Sequence, residues 1–129
     1  MQHLTDINYS PVLNFDEDDF ITPGDGAMRG IQKCFDRRVS VPEAQSIIYN
    51  FVNEQEFYFE GLGYEPVTLF GRRRLHAIDI QNLFCEVDKY ARVAHPEFKV
   101  KDGERIKQSL KPVGPLPVPF FPPKWKINA

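Results

Sequence analysis

Asp19-Phe20-Ile21-Thr22-Pro23-Gly24-Asp25-Gly26-Ala27-Met28-Arg29-Gly30-Ile31-Gln32-Lys33-Cys34-Phe35 sets a proline and two glycines directly before an amphipathic stretch. Pro23 fixes one turn dihedral, and Gly24 and Gly26 are expected to supply positive φ and a close approach of another backbone. The helix is predicted from about Ala27, with Met28, Ile31, Cys34 and Phe35 on one side, and to end near Asp36-Arg37-Arg38. Its first amides and the positive end of its dipole then point back into the turn, which is how a backbone phosphate site is built. Arg29 and Lys33, one helical turn apart, add charge near that spot. Gly24, Gly26, Arg29 and Lys33 are therefore candidate phosphate contacts, although the same pattern also serves as plain punctuation before a helix.

Outward from this turn the chain reads as helices. Ser40 is placed as an N-cap, with Pro42 and Glu43 in the first turn. Ala44, Ile47, Ile48, Phe51, Gln55 and Tyr58 then follow helical spacing until Gly61 and Gly63. Tyr64 to Arg74 reads as a loop or a brief extended segment around Val67-Thr68-Leu69-Phe70, and Leu75 to Ala94 as a long helix stopped by Pro96. Beyond it Pro112, Pro115, Pro117, Pro119, Pro122 and Pro123 favour an extended strap. Phe120, Phe121 and Trp125 argue that the strap packs on the domain; a mobile linker is the alternative. The expectation is a mainly α domain over residues 1–106 and a proline-rich tail over 107–129.

At 129 residues with 42% apolar content the chain suits one small domain. No apolar run approaches the roughly 20 residues that span a bilayer. Met1-Gln2-His3-Leu4-Thr5-Asp6 has no secretory pattern, so the expected location is intracellular, and cytoplasmic for a prokaryotic or phage-encoded chain. Cys34 and Cys85 sit among helical apolar residues and read as reduced and structural. The three histidines are scattered, and no zinc or P-loop spacing occurs, so no dedicated metal site and no self-contained kinase are expected.

Charge is unevenly spread. Asp6, Asp16, Glu17, Asp18, Asp19 and Asp25 stand in residues 1–26 without any Lys or Arg. The remainder carries all 16 basic residues against 12 acids, including Arg37-Arg38 and the run Arg72-Arg73-Arg74. That division permits a phosphate-facing surface and equally an ordinary solvated one.

On the long helix, Ile80, Leu83, Phe84, Val87, Ala91 and Ala94 form one apolar face at 100° per residue. Asp79, Asn82, Glu86 and Lys89 make a polar stripe beside it, while Gln81, Asp88 and Arg92 are expected to point farther outward. Two carboxylates, an amide and an ammonium at a cleft edge suit a general base or a hold on a base edge. The competing reading is an intrahelical Glu86–Lys89 pair, with Asp79 capping the helix or bridging to the arginines.

The turn Pro23-Gly24-Asp25-Gly26 is similar to the hairpin of helix-hairpin-helix DNA-binding proteins. The series Thr5-Asp6-Ile7-Asn8-Tyr9-Ser10, Phe15-Asp16-Glu17-Asp18-Asp19-Phe20, the glycine turn with Arg29-Gly30-Ile31, and Ile78 to Arg92 goes further. It resembles the helical domain of 5-hydroxymethyluracil DNA kinases and the related α-glutamyl/putrescinyl thymine pyrophosphorylases, which have a glycosylase-like fold. The resemblance covers about residues 4–95. It implies that the chain is the C-terminal part of that fold, N-terminally truncated, with further helices ahead of Asp6.

The resemblance implies a DNA-binding component of thymine or 5-hydroxymethyluracil hypermodification. Gly24, Gly26, Arg29, Lys33, Arg72, Arg73, Arg74 and Arg92 become DNA or phosphate candidates, and Asp79, Asn82, Glu86 and Lys89 catalytic ones, with Asp88 also in the lining. The implied chemistry is transfer of an amine or amino acid onto an activated hydroxymethyl base, turned out of the duplex. No resident cofactor is expected, magnesium entering with substrate phosphates. Expected partners are DNA and either a kinase or a chain supplying the missing helices. The alternative is a non-enzymatic accessory module that binds DNA or a kinase.

Overall fold

The computed structural model describes residues 2–13, 15–69, 71, 73–99 and 113–128. Among these the elements are α1 (Gln2–Asn8), α2 (Asp25–Phe35), α3 (Val41–Gly61), β1 (Thr68–Leu69), β2 (Arg73–Arg74), α4 (Ala77–Ala94) and a 3-10 turn at Pro123–Trp125. The two short strands pair antiparallel, Thr68 with Arg74 and Leu69 with Arg73. The fold is mainly helical.

The signal for α3 is local and complete. Ser40 caps it by accepting from the Glu43 amide at 3.4 Å, with Pro42 in the first turn. A kink at Glu54 (φ −105°, ψ 15°) bends the helix midway. Just beyond it the buried Gln55 donates Nε2 to the carbonyls of Val52 and Leu75, at 2.8 and 2.9 Å, and accepts from the Leu75 amide at 3.2 Å. Its amide thus satisfies the backbone of the segment entering α4, which is the condition for burying both.

α2 starts two residues earlier than its pattern indicates, and its glycines have a different role. Gly24 is the N-cap at φ −81°, ψ 178°, and Gly26 lies in the first helical turn, so neither takes the expected positive φ. The close approach occurs instead at Gly30: a Cβ there would stand 1.9 Å from the Phe84 carbonyl oxygen of α4. Only glycine lets α2 and α4 meet at that distance. The contact also turns α2 so that Ala27, Gly30 and Ile31 are buried while Cys34 and Phe35 are exposed, which corrects the predicted face.

α4 is packed from both sides, by α2 and by α3. Ala27, Ile31, Ala44, Ile48, Val52, Leu75, Ala77, Ile80 and Phe84 form the core, and the alanines allow close helix approach. Burying Ile31 and Ile48 contributes roughly 1.5–3 kcal/mol each. Leu83 and Ala94, expected in the core, are exposed. Asp88, expected to point outward, is wholly buried. The face of α4 nearest α2 is thus partly polar.

Residues 113–120 of the strap are exposed, whereas the following turn docks on the start of the chain. Lys124 Nζ donates to Asn8 O and Oδ1, Leu13 O and Phe15 O at 2.6–3.3 Å. Trp125 packs edge-on against Tyr9, with ring centroids 5.6 Å apart. Asn128 closes the turn through reciprocal bonds with the Phe121 backbone.

Candidate functional site

Two ionic clusters lie at different levels of α4. At its N-terminal end, Arg73 is buried between Glu17 (3.0 Å) and Asp79 (2.7 Å), with its guanidinium 4.1 Å from the Trp125 ring centroid. The Trp125 indole donates to Glu17 Oε1 at 3.1 Å, so the docked strap holds the cluster. Asp79 Oδ2 also accepts from the His76 amide at 2.9 Å, in the first turn of α4. Asp18 accepts from the Ala77 amide at 2.6 Å and pairs with His76 Nδ1 at 3.0 Å. Tyr9 nearby has its phenol pKa raised, first by burial and then by the charges of Glu17 and Asp79.

A cavity of about 190 Å³ opens beside this cluster, lined by Asn8, Phe15, Asp16, Glu17, Phe20, Ile21, Thr22, Gly24, Ile78 and Gln81. Gln81 Oε1 is buried without a hydrogen-bond partner among the described residues. Gly24, the cap of α2, therefore opens on a space shared with two carboxylates, and Asp25 stands in the first helical turn. A phosphate approaching this end meets negative charge.

Farther along α4 the arrangement inverts. Asp88 accepts from Arg29 Nε at 3.1 Å, Lys33 Nζ at 2.9 Å and Arg92 Nε at 3.2 Å, and the second Arg92 contact, through Nη2, is shorter. Burial pushes the Asp88 carboxyl up, but the hydrogen bonds from Arg92, Lys33 and Arg29 outweigh it and hold the group below the ordinary carboxylate range. Next to the cluster a shallow pocket of about 240 Å³ is lined by Lys33, Arg37, Arg38, Lys99, Gln32, Phe98, Asp36 and Glu97. Arg37 also pairs with Glu43 at 2.7 Å.

The predicted residues are thus divided. Arg29, Lys33 and Arg92 come together on Asp88, whose burial no local pattern indicates. Arg73 is a buried ion-pair partner in place of the expected surface contact, and Arg74 is exposed, bonded to the Val52 carbonyl and 3.6 Å from Glu56. Arg72 lies outside the described residues. Of the polar stripe, Asp79 belongs to the N-terminal cluster, whereas Asn82 and the Glu86–Lys89 pair face solvent. Cys85 lies under Gly26, where a Cβ would stand 3.3 Å from its Sγ, and burial raises its thiol pKa.

Among the described residues, Asp16, Asp18 and His76 bring ligand atoms within 4.8 Å of one another. A separation of 58 residues between Asp18 and His76 hides this group from any spacing motif. Both oxygens of Asp18 already serve His76 and the Ala77 amide, which gives the group a structural role at the start of α4.

The 5-hmdU DNA kinase helical domain model matches residues 1–100. The chain belongs to that family. The charged residues of both clusters and the cavity-lining loop fall within the match, and Trp125 lies outside it. Comparison with curated proteins and with solved structures gave no match. Among the described residues no helix is long and apolar enough to cross a membrane. Glu17, Asp18 and Gly30 carry no local signal of a positioning role, because each acts through a partner far away in the chain; Trp125, expected to pack the strap on the domain, does so against Tyr9 and Glu17.

Proposed function

We propose that this kinase-family helical domain is a DNA-binding component of thymine or 5-hydroxymethyluracil hypermodification, built on a helix-hairpin-helix, glycosylase-like arrangement. The observation that carries the reading is the Asp88 end of α4. Arg29, Lys33, Arg37, Arg38, Arg92 and Lys99 gather there and outnumber Asp36, Glu43, Asp88 and Glu97. Asp88 holds the inner three cations in place, so that their charge is fixed beside the more exposed Arg37, Arg38 and Lys99. Such a pre-set basic surface suits a phosphate backbone. A companion kinase is the natural partner, and any magnesium enters with the substrate's phosphates.

The solvent-facing Asn82, Glu86 and Lys89 favour the accessory form of this reading, in which the chain presents DNA and turns nothing over itself. A second reading, in which it acts on the base and transfers an amine or amino acid, draws support from the 190 Å³ cavity. Aromatic rings from Phe15 and Phe20 and amides from Asn8 and Gln81 are the chemistry that receives a flipped pyrimidine.

The test is a fluorescence titration over a salt series with matched duplexes containing thymine or 5-hydroxymethyluracil. Arg38→Ala and Lys99→Ala should each weaken binding at every sequence and reduce the slope of log K against log salt by about one. Slopes equal to the parent's in both variants would remove this end from the DNA surface. A preference for the modified duplex that survives high salt would favour the second reading.

A further inference from the structure

Among the described residues two apolar surfaces are left uncovered, and they have complementary chemistry. One is a groove of about 250 Å³ between the second half of α3 and α4, lined by Phe51, Tyr58, Phe59, Leu62, Leu83 and Val87, with a wholly apolar exposed lining. Phe51 and Tyr58 pack tilted at 5.0 Å between ring centroids and form an aromatic wall. Leu62 is 72% exposed and Leu83 49%. The other is the proline strap, in which Val113, Leu116, Val118 and Phe120 are each at least 78% exposed. The strap carries no charge from Pro112 to Pro123, and its far end is anchored by Lys124 and Trp125. Pre-extended proline segments dock in aromatic-lined grooves with little ordering cost.

Charge supports the same pairing. Residues 39–71, which supply the α3 wall, contain Glu43, Glu54, Glu56, Glu60 and Glu65 and no basic residue. Residues 99–111, which lead into the strap, carry Lys99, Lys101, Arg105, Lys107 and Lys111 against Asp102 and Glu104. A basic lead-in thus precedes an apolar strap, and acidic side chains flank an apolar groove.

We infer that the groove of one copy receives residues 113–120 of a second copy, in a reciprocal two-fold exchange. One eight-residue contact falls near the lower limit of stable interfaces, and reciprocity doubles it. The interface uses a different face of α4 from the Asp88 cluster, and it stands or falls independently of DNA binding.

Sedimentation equilibrium of the full chain should give twice the 15.0 kDa monomer mass. Leu62→Glu with Leu83→Glu, and separately Leu116→Glu with Val118→Glu, should each return it to monomer and weaken association at least tenfold. The substituted side chains are exposed, so unchanged circular dichroism is expected. A labelled peptide of residues 112–122 should bind the strap variant and fail to bind a chain carrying both the groove and the strap substitutions. A parent that stays monomeric into the hundred-micromolar range overturns the proposal. So does a dimer that survives either double substitution, and the groove then belongs to a different partner.

Discussion

Among the described residues α4 closes two carboxylates around one cation at its N-terminal end; three turns later it closes three cations around one carboxylate. Glu17, Arg73 and Asp79 are sealed by Trp125, and the cluster joins the loop, the hairpin, α4 and the strap. Arg29, Lys33 and Arg92 converge on Asp88, itself wholly buried, beside the exposed Arg37, Arg38 and Lys99. The same residue types therefore make a cation held by carboxylates in one place and a carboxylate held by cations, bordering a basic surface, in the other. Stoichiometry decides which.

The contrast is tested most severely by Asp88→Ala. Removing a carboxylate that accepts from three largely buried cations leaves those hydrogen bonds unmade, and a loss of about 4 kcal/mol in urea unfolding is expected. Arg73→Ala should cost less, about 3 kcal/mol, because Glu17 keeps the Trp125 indole and Asp79 the His76 amide as hydrogen-bond donors. Equal or reversed costs would show that stoichiometry does not set the difference.

Gly30→Ala attacks the geometry behind the Asp88 cluster. With its Cβ 1.9 Å from the Phe84 carbonyl oxygen, α2 must move away from α4 and carry Arg29 and Lys33 with it. A destabilisation of about 2–3 kcal/mol is expected. It should be strongly non-additive with Asp88→Ala in a double-mutant cycle, since both break one contact.

Acid provides a graded version of the same test. The folded Asp88 carboxyl lies below its ordinary value, so the folded state takes up this proton less readily than the unfolded chain. Its stabilisation is complete above the unfolded value of about 4 and is lost as pH falls through the lower folded value. Melting temperature followed from pH 6 to pH 2 should fall in the lower half of that range, and Asp88→Asn should flatten the fall. An equally steep fall in the variant would assign the acid lability elsewhere. The smallest effect belongs to Glu86→Ala. Its pair with Lys89 is exposed, and a change of no more than about 0.5 kcal/mol is expected.

Much of the helical framework was legible. Ser40, Pro42 and Glu43 start α3 and Gly61 ends it, while Pro96 follows the end of α4. The glycine turn also marked the start of α2 to within two residues. What the pattern obscured was orientation. Met28, Ile31, Cys34 and Phe35 have the spacing of a core face, yet with α2 seated at Gly30 only Ile31 and, in part, Met28 reach the core, while Cys34 and Phe35 are exposed. Asp88 and Arg92 share an outward sector of the long helix, and Arg29 and Lys33 lie one turn apart on another helix. Nothing local indicated that the two pairs meet across 55–59 residues.

The sequence by itself determined where helices begin and end, the division between an acidic start and a basic remainder, and membership of a DNA-kinase helical family. Those properties depend on side chains within about one turn of each other, or on composition alone. Tertiary structure decided that Asp88 and Arg73 are buried, that Gly30 sets the helix separation, and that Trp125 closes a cluster through Glu17, 108 residues earlier in the chain. A charge becomes stable inside a protein only when its counter-charge arrives from another element, and that arrival is a property of packing.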